Sequence, residues 1–183
     1  MTDETMGNQQ VKTDRDCDLA YLAGALDGEG CFTVARKADV RYKKWGYAYS
    51  PAIYFTNTNE AFIARVCEIL DGQNVHGHIV ARKQPGGINK DYYVVTVGRL
   101  ADIKTLLDVL SPWLVAKKGQ AQLLYRFVSG RLAKNAEKWK SQNPYTEEEI
   151  SLVQQIRALN GSSKMRYPVE SSEAIRQAPA IAG

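Results

Sequence analysis

The residues best suited to chemistry lie in nine consecutive positions, Leu22-Ala23-Gly24-Ala25-Leu26-Asp27-Gly28-Glu29-Gly30. With Leu19, the leucines at 22 and 26 are spaced for one face of a helix, which puts Asp27 and Glu29 at its C-terminal end. Acids there oppose the helix dipole at about 0.3–1 kcal/mol each, so a compensating cation is expected nearby. On the opposite side Ala20, Gly24 and Gly28 recur every four residues, a stripe without bulk along which a second helix can approach closely. Two copies of this helix meeting along the stripe bring two Glu29 carboxylates together, and such a pair stays ionised only with a divalent cation between its members. Hard oxygen ligands select a Mg²⁺-like ion whose other positions take water and phosphate oxygens, the equipment of metal-assisted phosphodiester hydrolysis. The same residues also suit a close-packed core helix ending in a solvated acid, and their chemistry alone leaves both readings open.

Other constellations are weaker. Cys17, Cys31 and Cys67 are far apart and have no CxxC spacing, against a disulfide framework or a zinc site. His76 and His78 can share a strand face but lack a third ligand in register. Net charge is only +4, yet its placement is uneven: residues 29–99 carry ten bases and six acids, residues 100–145 eight and three, while residues 1–28 carry six acids and two bases. A basic middle suits a polyanion better than a membrane surface or an acidic protein. No apolar run approaches the roughly 18 residues of a membrane span and the N-terminus is acidic, so an intracellular rather than secreted or membrane protein is expected.

Positioning these residues falls to an α+β domain. The 183 residues suffice for one core burying roughly 70% of the unfolded surface. Residues 1–15 read as a loose polar arm, residues 16–161 as the domain, and residues 162–183, rich in Ser, Ala, Gln and Pro, as a flexible tail. A helix at 16–28, capped by Asp16 or Asp18, precedes alternating strands at 31–37 and 47–57, whose connection holds Arg41, Lys43, Lys44 and Trp45. A helix at 59–70 capped by Asn59 follows, then a hairpin of 76–83 and 91–97 turning at Pro85-Gly86-Gly87. Helices at 101–110, 117–132 and 147–159 complete the chain, the last with a capping box from Thr146 and Glu149 and a stop at Asn160-Gly161. Trp113, Leu123, Leu124 and Phe127 are expected in the core. The order α-ββ-α-ββ-α-α-α predicts a four-stranded antiparallel sheet.

The stretch 22–30 resembles the signature of the LAGLIDADG homing endonucleases, with Glu29 at the eighth position, where that family carries its metal-binding acid. The α-ββ-α-ββ-α order also matches, as does Leu110-Ser111-Pro112-Trp113-Leu114 leading to Lys117-Lys118-Gly119-Gln120-Ala121, so the resemblance spans roughly residues 18–161. Ala25 departs from the bulkier residue usual there. Leu70-Asp71-Gly72 echoes the motif, but no acid follows, which leaves one copy. In this family one copy implies a homodimer joined by its motif helices, here through Ala20, Gly24 and Gly28, with two sheets forming a saddle on double-stranded DNA.

The resemblance further implies that Glu29, joined by the Gly28 carbonyl, binds the catalytic ion: Mg²⁺, with Mn²⁺ or Ca²⁺ substituting for binding. Lys117 matches the family's basic residue near the active centre, with Lys118 one register away, and Asn57 matches a polar residue that orients solvent. The implied DNA-binding set is Thr33, Ala35, Lys37, Ser50, Ala52, Tyr54, Arg82, Asp91 and Tyr93 on strand faces, with Arg41, Lys43 and Lys44 at a hairpin tip. The expected activity is cleavage of both strands of a long pseudo-palindromic site, leaving staggered 3′ overhangs. The compartment would be a prokaryotic cytoplasm or an organelle. An intron RNA maturase, or a DNA-binding protein without cleavage, is the alternative on the same fold. A dimer unrelated to nucleic acid, using the small-residue stripe only for packing, is a further rival.

Overall fold

The computed structural model describes residues 4–38, 46–83, 90–137 and 144–161. Nine elements follow one another: α1 (Glu4–Glu29), β1 (Gly30–Ala38), β2 (Tyr47–Asn57), α2 (Glu60–Gly72), β3 (His78–Arg82), β4 (Tyr92–Val97), α3 (Leu100–Leu110), α4 (Lys118–Glu137) and α5 (Glu147–Leu159). The sheet is antiparallel throughout in the order β1-β2-β4-β3. The α+β class and four-stranded sheet are therefore as the sequence predicts.

Alternation along the strands decides what the sheet buries. Phe32 and Val34 of β1, Ile53 and Phe55 of β2, and Val95 and Val97 of β4 all point to one side. There they meet Leu22 and Leu26 of α1, Ile63, Val66 and Leu70 of α2, Ile103, Leu106 and Leu107 of α3, and Leu124 and Phe127 of α4. Each such side chain contributes roughly 1.5–3 kcal/mol of burial. Among the described residues no helix is long and apolar enough to cross a membrane.

Local signals set most boundaries. Asn59 caps α2, its side chain accepting the Phe62 N–H at 3.1 Å. Thr146 and Glu149 form the expected capping box on α5, and Gly161, with φ of +68°, stands just past that helix where a side chain would be strained. Glu149 is buried between Arg131 and Lys134 of α4, at 3.6 and 3.0 Å, which pins α5 to α4. The end of α5 then covers the outer edge of the sheet: Asn160 Nδ2 donates to the Phe32 carbonyl at 2.7 Å and Arg157 to that of Val34 at 3.4 Å. Unpaired carbonyls of an edge strand are thereby occupied.

Two expectations fail. Helix α1 begins at Glu4, not near residue 16. No proline interrupts residues 4–15, so nothing local compels a start at Asp16, and Asp18 serves instead as the ion-pair partner of Arg65 on α2. Trp113 is 38% exposed rather than part of the core, because the turn after α3 carries it outward while Leu114, at 2%, takes the buried place. The expected turn at Pro85-Gly86-Gly87 and the tail at 162–183 lie outside the described residues.

Candidate functional site

Leu22 and Leu26, fully buried, anchor α1 so that its C-terminal end arrives at the edge of the sheet. The abrupt passage from helix to strand requires Gly30: a Cβ there would lie 2.5 Å from a Leu26 side-chain carbon and 2.7 Å from its Cα. Gly24 and Gly28 differ, since a Cβ at either would meet nothing within 4 Å. They and Ala20 are exposed, on the face of α1 opposite Leu19, Leu22 and Leu26. Among the described residues nothing makes use of the small size of Gly24 and Gly28.

The acids at the end of α1 have separate fates. Asp27 turns toward the segment before α4 and accepts the backbone N–H groups of Val115, Ala116 and Lys117 at 2.8, 3.1 and 2.9 Å. Burial pushes its carboxyl up, but these three donors and the nearby Lys117 charge outweigh that and hold it below its ordinary value. Lys117 Nζ reaches the carbonyls of Leu26, Gly30 and Gly28 at 2.8, 2.7 and 3.5 Å. It is the cation that the helix end calls for, bonded to carbonyls of the last turn of α1 and of the first residue of β1. Lys118, the first residue of α4, is exposed and makes none of these bonds.

Glu29 is the last residue of α1, exposed and bonded to no other described residue. Among the described residues no group of three or more His, Cys, Asp and Glu comes together. The helix end offers one free carboxylate and one backbone carbonyl, Gly28, with only a long contact to Lys117. Both are hard oxygen donors beside open space, which fits an ion that draws most of its ligands from water and phosphate and a second carboxylate from outside the chain.

Asn57 closes β2, two residues beyond Phe55, the partner of Gly30, and so stands at the same end of the sheet. Its side-chain oxygen accepts the Asn59 N–H at 2.8 Å, building the turn into α2.

The sheet face away from the core gathers most of the expected DNA-binding set. Thr33 pairs with Ala52, Ala35 with Ser50, and Tyr54 with Thr96, while Lys37 and Arg82 lie at strand ends on the same face. Ala52 is buried at 4% but stands outside the core cluster, covered by its neighbours on the outward face. Tyr93 does not belong to the set: it pairs with Asn57 and Ala81 on the core side and packs against the core, whereas Tyr92, opposite Arg82, faces outward. Asp91 precedes β4 and is exposed. Arg41, Lys43 and Lys44 lie outside the described residues.

Sequence reasoning missed several residues of this face. Thr56, Thr58, Lys90, Tyr92 and Val94 join Tyr54 and Arg82 in lining an open groove of about 870 Å³. Continued alternation from Tyr54 identifies Thr56, and in β4 only Thr96 beside Val97 marks the parity that puts Tyr92 and Val94 outward.

Three comparisons bear on this arrangement. No curated protein matches the chain. Among solved structures the chain is similar to the homing endonuclease I-CvuI in complex with its target, at 21% identity and a TM-score of 0.66, covering 90% of this chain and 93% of that one. It is also similar to the archaeal intron-encoded homing endonuclease I-Vdi141I complexed with DNA, at 19% identity and a TM-score of 0.61, covering 87% and 92%. Against the LAGLIDADG homing endonuclease I-SmaMI bound to cleaved DNA, at 15% identity and a TM-score of 0.56, it covers 79% of this chain but 48% of that one. At these identities the structures establish the fold, and the LAGLIDADG-like domain family matches residues 16–110, from within α1 to the end of α3, so the chain belongs to that family.

Proposed function

We propose that the protein is a homodimeric, Mg²⁺-dependent endonuclease that cuts both strands of a long pseudo-palindromic DNA site and leaves staggered 3′ overhangs. The observation that carries this reading is Glu29, a free carboxylate at the end of a helix whose exposed face carries Gly24 and Gly28, where a Cβ would meet no described atom within 4 Å. A second copy docked along Ala20, Gly24 and Gly28 supplies the second carboxylate. The coverage supports such a unit: the chain spans 93% of I-CvuI but about half, 48%, of I-SmaMI. Neighbours crystallised with Ca or with Mg support a divalent ion, and their complexes with DNA support DNA as the partner.

A bound divalent ion supplies Lewis-acid stabilisation of the phosphate and an acidified water. The chain's part is positional. Glu29 and the Gly28 carbonyl would hold the ion. Lys117, fixed by its bonds to the Leu26 and Gly30 carbonyls, keeps a positive charge beside the place where a phosphate enters. Asp27, by fixing the 115–117 backbone, fixes where Lys117 starts. Asn57 stands at the same end of the sheet, where its amide orients solvent.

Selection of cleaved sites from a randomised duplex library with Mg²⁺ tests the proposal, and a near-palindrome should emerge. Recovery of bound but uncut duplexes would assign the non-cleaving alternative. Recovery of neither would overturn the duplex-DNA reading and leave the RNA maturase as the nucleic-acid alternative.

A further inference from the structure

Across the outward sheet face runs a line of methyl groups that the core does not use. Val80 of β3 pairs with Val94 of β4, and Val94 pairs with Thr56 of β2, so the three side chains form one row. None belongs to the core cluster, and each is half-buried. On the solvated side of an antiparallel sheet the ordinary choice is polar, so two adjacent valines there leave apolar surface without a partner. Val94 and Thr56 line the open groove described above, with Arg82 and Lys90 supplying positive charge in it.

The chemistry missing from this face is as specific as what is present. Among the described strand residues that point outward there is no Asn or Gln, the side chains that read adenine, and no Asp or Glu, which read cytosine. Aliphatic methyls in the major groove have one base-specific partner, the C5-methyl of thymine. Resting on the DNA-binding reading above, we propose that the Val80, Val94 and Thr56 row selects thymine in each half-site through that methyl group.

The test replaces each thymine of a duplex recovered from the library by uracil, one at a time, and measures binding by the wild-type protein. One thymine per half-site, or two adjacent ones, should lose about three- to fivefold in affinity on losing the methyl, the value of one buried carbon. Cytosine at that position should bind weakly and 5-methylcytosine should recover most of the loss. In Val94→Ala the distinction between thymine and uracil should shrink toward unity. If the protein binds its duplex but every uracil replacement is neutral, the methyl reading is wrong while the DNA reading stands. If Val94→Ala and Val80→Ala both keep the full uracil penalty, the row is misassigned. If no duplex is bound specifically, both readings fall together.

Discussion

At the scale of single residues, the three side chains at the end of α1 should respond differently to removal. Glu29 opposes the helix dipole from an exposed position, so Glu29→Gln should leave stability unchanged or raise it by about 0.3–0.5 kcal/mol. The same change should abolish cleavage while leaving DNA affinity nearly intact, and wild-type cutting by this variant would remove Glu29 from the metal site. Lys117→Met should lower both stability, by about 1 kcal/mol for the lost charged hydrogen bonds, and cleavage. Denaturant midpoints beside turnover would separate the two roles. Asp27 has a depressed folded-state pKa, so its stabilisation is present above the ordinary carboxylate value near 3.8 and lost as pH falls through the lower folded value. Asp27→Asn should therefore flatten the acid limb of a stability profile, and an unchanged limb would show that its three N–H bonds contribute nothing. Of this arrangement the sequence shows the acids and their position on the helix. It does not show that Asp27 is used internally, because its donors lie 88 to 90 residues away.

At the scale of elements, the glycines of α1 look alike in sequence and differ in space. Gly30→Ala should cost several kcal/mol, since its Cβ would sit 2.5–2.8 Å from Leu26 atoms that include backbone. A Cβ at Gly24 meets nothing within 4 Å, so Gly24→Leu, on an exposed face, should leave the fold intact while preventing helix pairing. Sedimentation would then give a monomer, whereas a surviving dimer would refute the interface. Legibility of the elements follows the same physics. Strand β2 and helices α2 and α5 are readable because alternation or capping marks them. The face of β4 is marked only at its end, because Tyr92 beside Tyr93 and Val94 beside Val95 put the same residue type on both sides and only Thr96 beside Val97 separates the two parities. The pairing with β2 and β3 follows that one signal, and it exchanges Tyr93 for Tyr92 on the outward face. The early start of α1 is hidden for a related reason: polar helix formers without a stop signal look the same as a polar arm.

At the scale of the whole molecule, the net charge of +4 conceals a division of labour between surfaces. Lys37, Arg82 and Lys90 lie along the outward sheet face or its groove, among described strand residues that include no acid there. Glu29 and the acid-bearing end of α1 occupy a separate place, at the helix stripe. A dimer presents that basic set twice, so about six phosphates should be neutralised, giving a slope of log affinity against log salt of about −5. Raising salt fourfold should then weaken binding about a thousandfold, with Mg²⁺ held constant. Removing Lys37 and Arg82 together should reduce the slope by about four, because each is present twice, and should weaken binding to unrelated duplexes as much as to the target. A flat salt response would instead identify the small-residue stripe as a packing surface alone and favour a dimer unrelated to nucleic acid. A steep wild-type slope that survives the double substitution would move the phosphate contacts off the strands, to basic residues such as Arg41, Lys43 and Lys44.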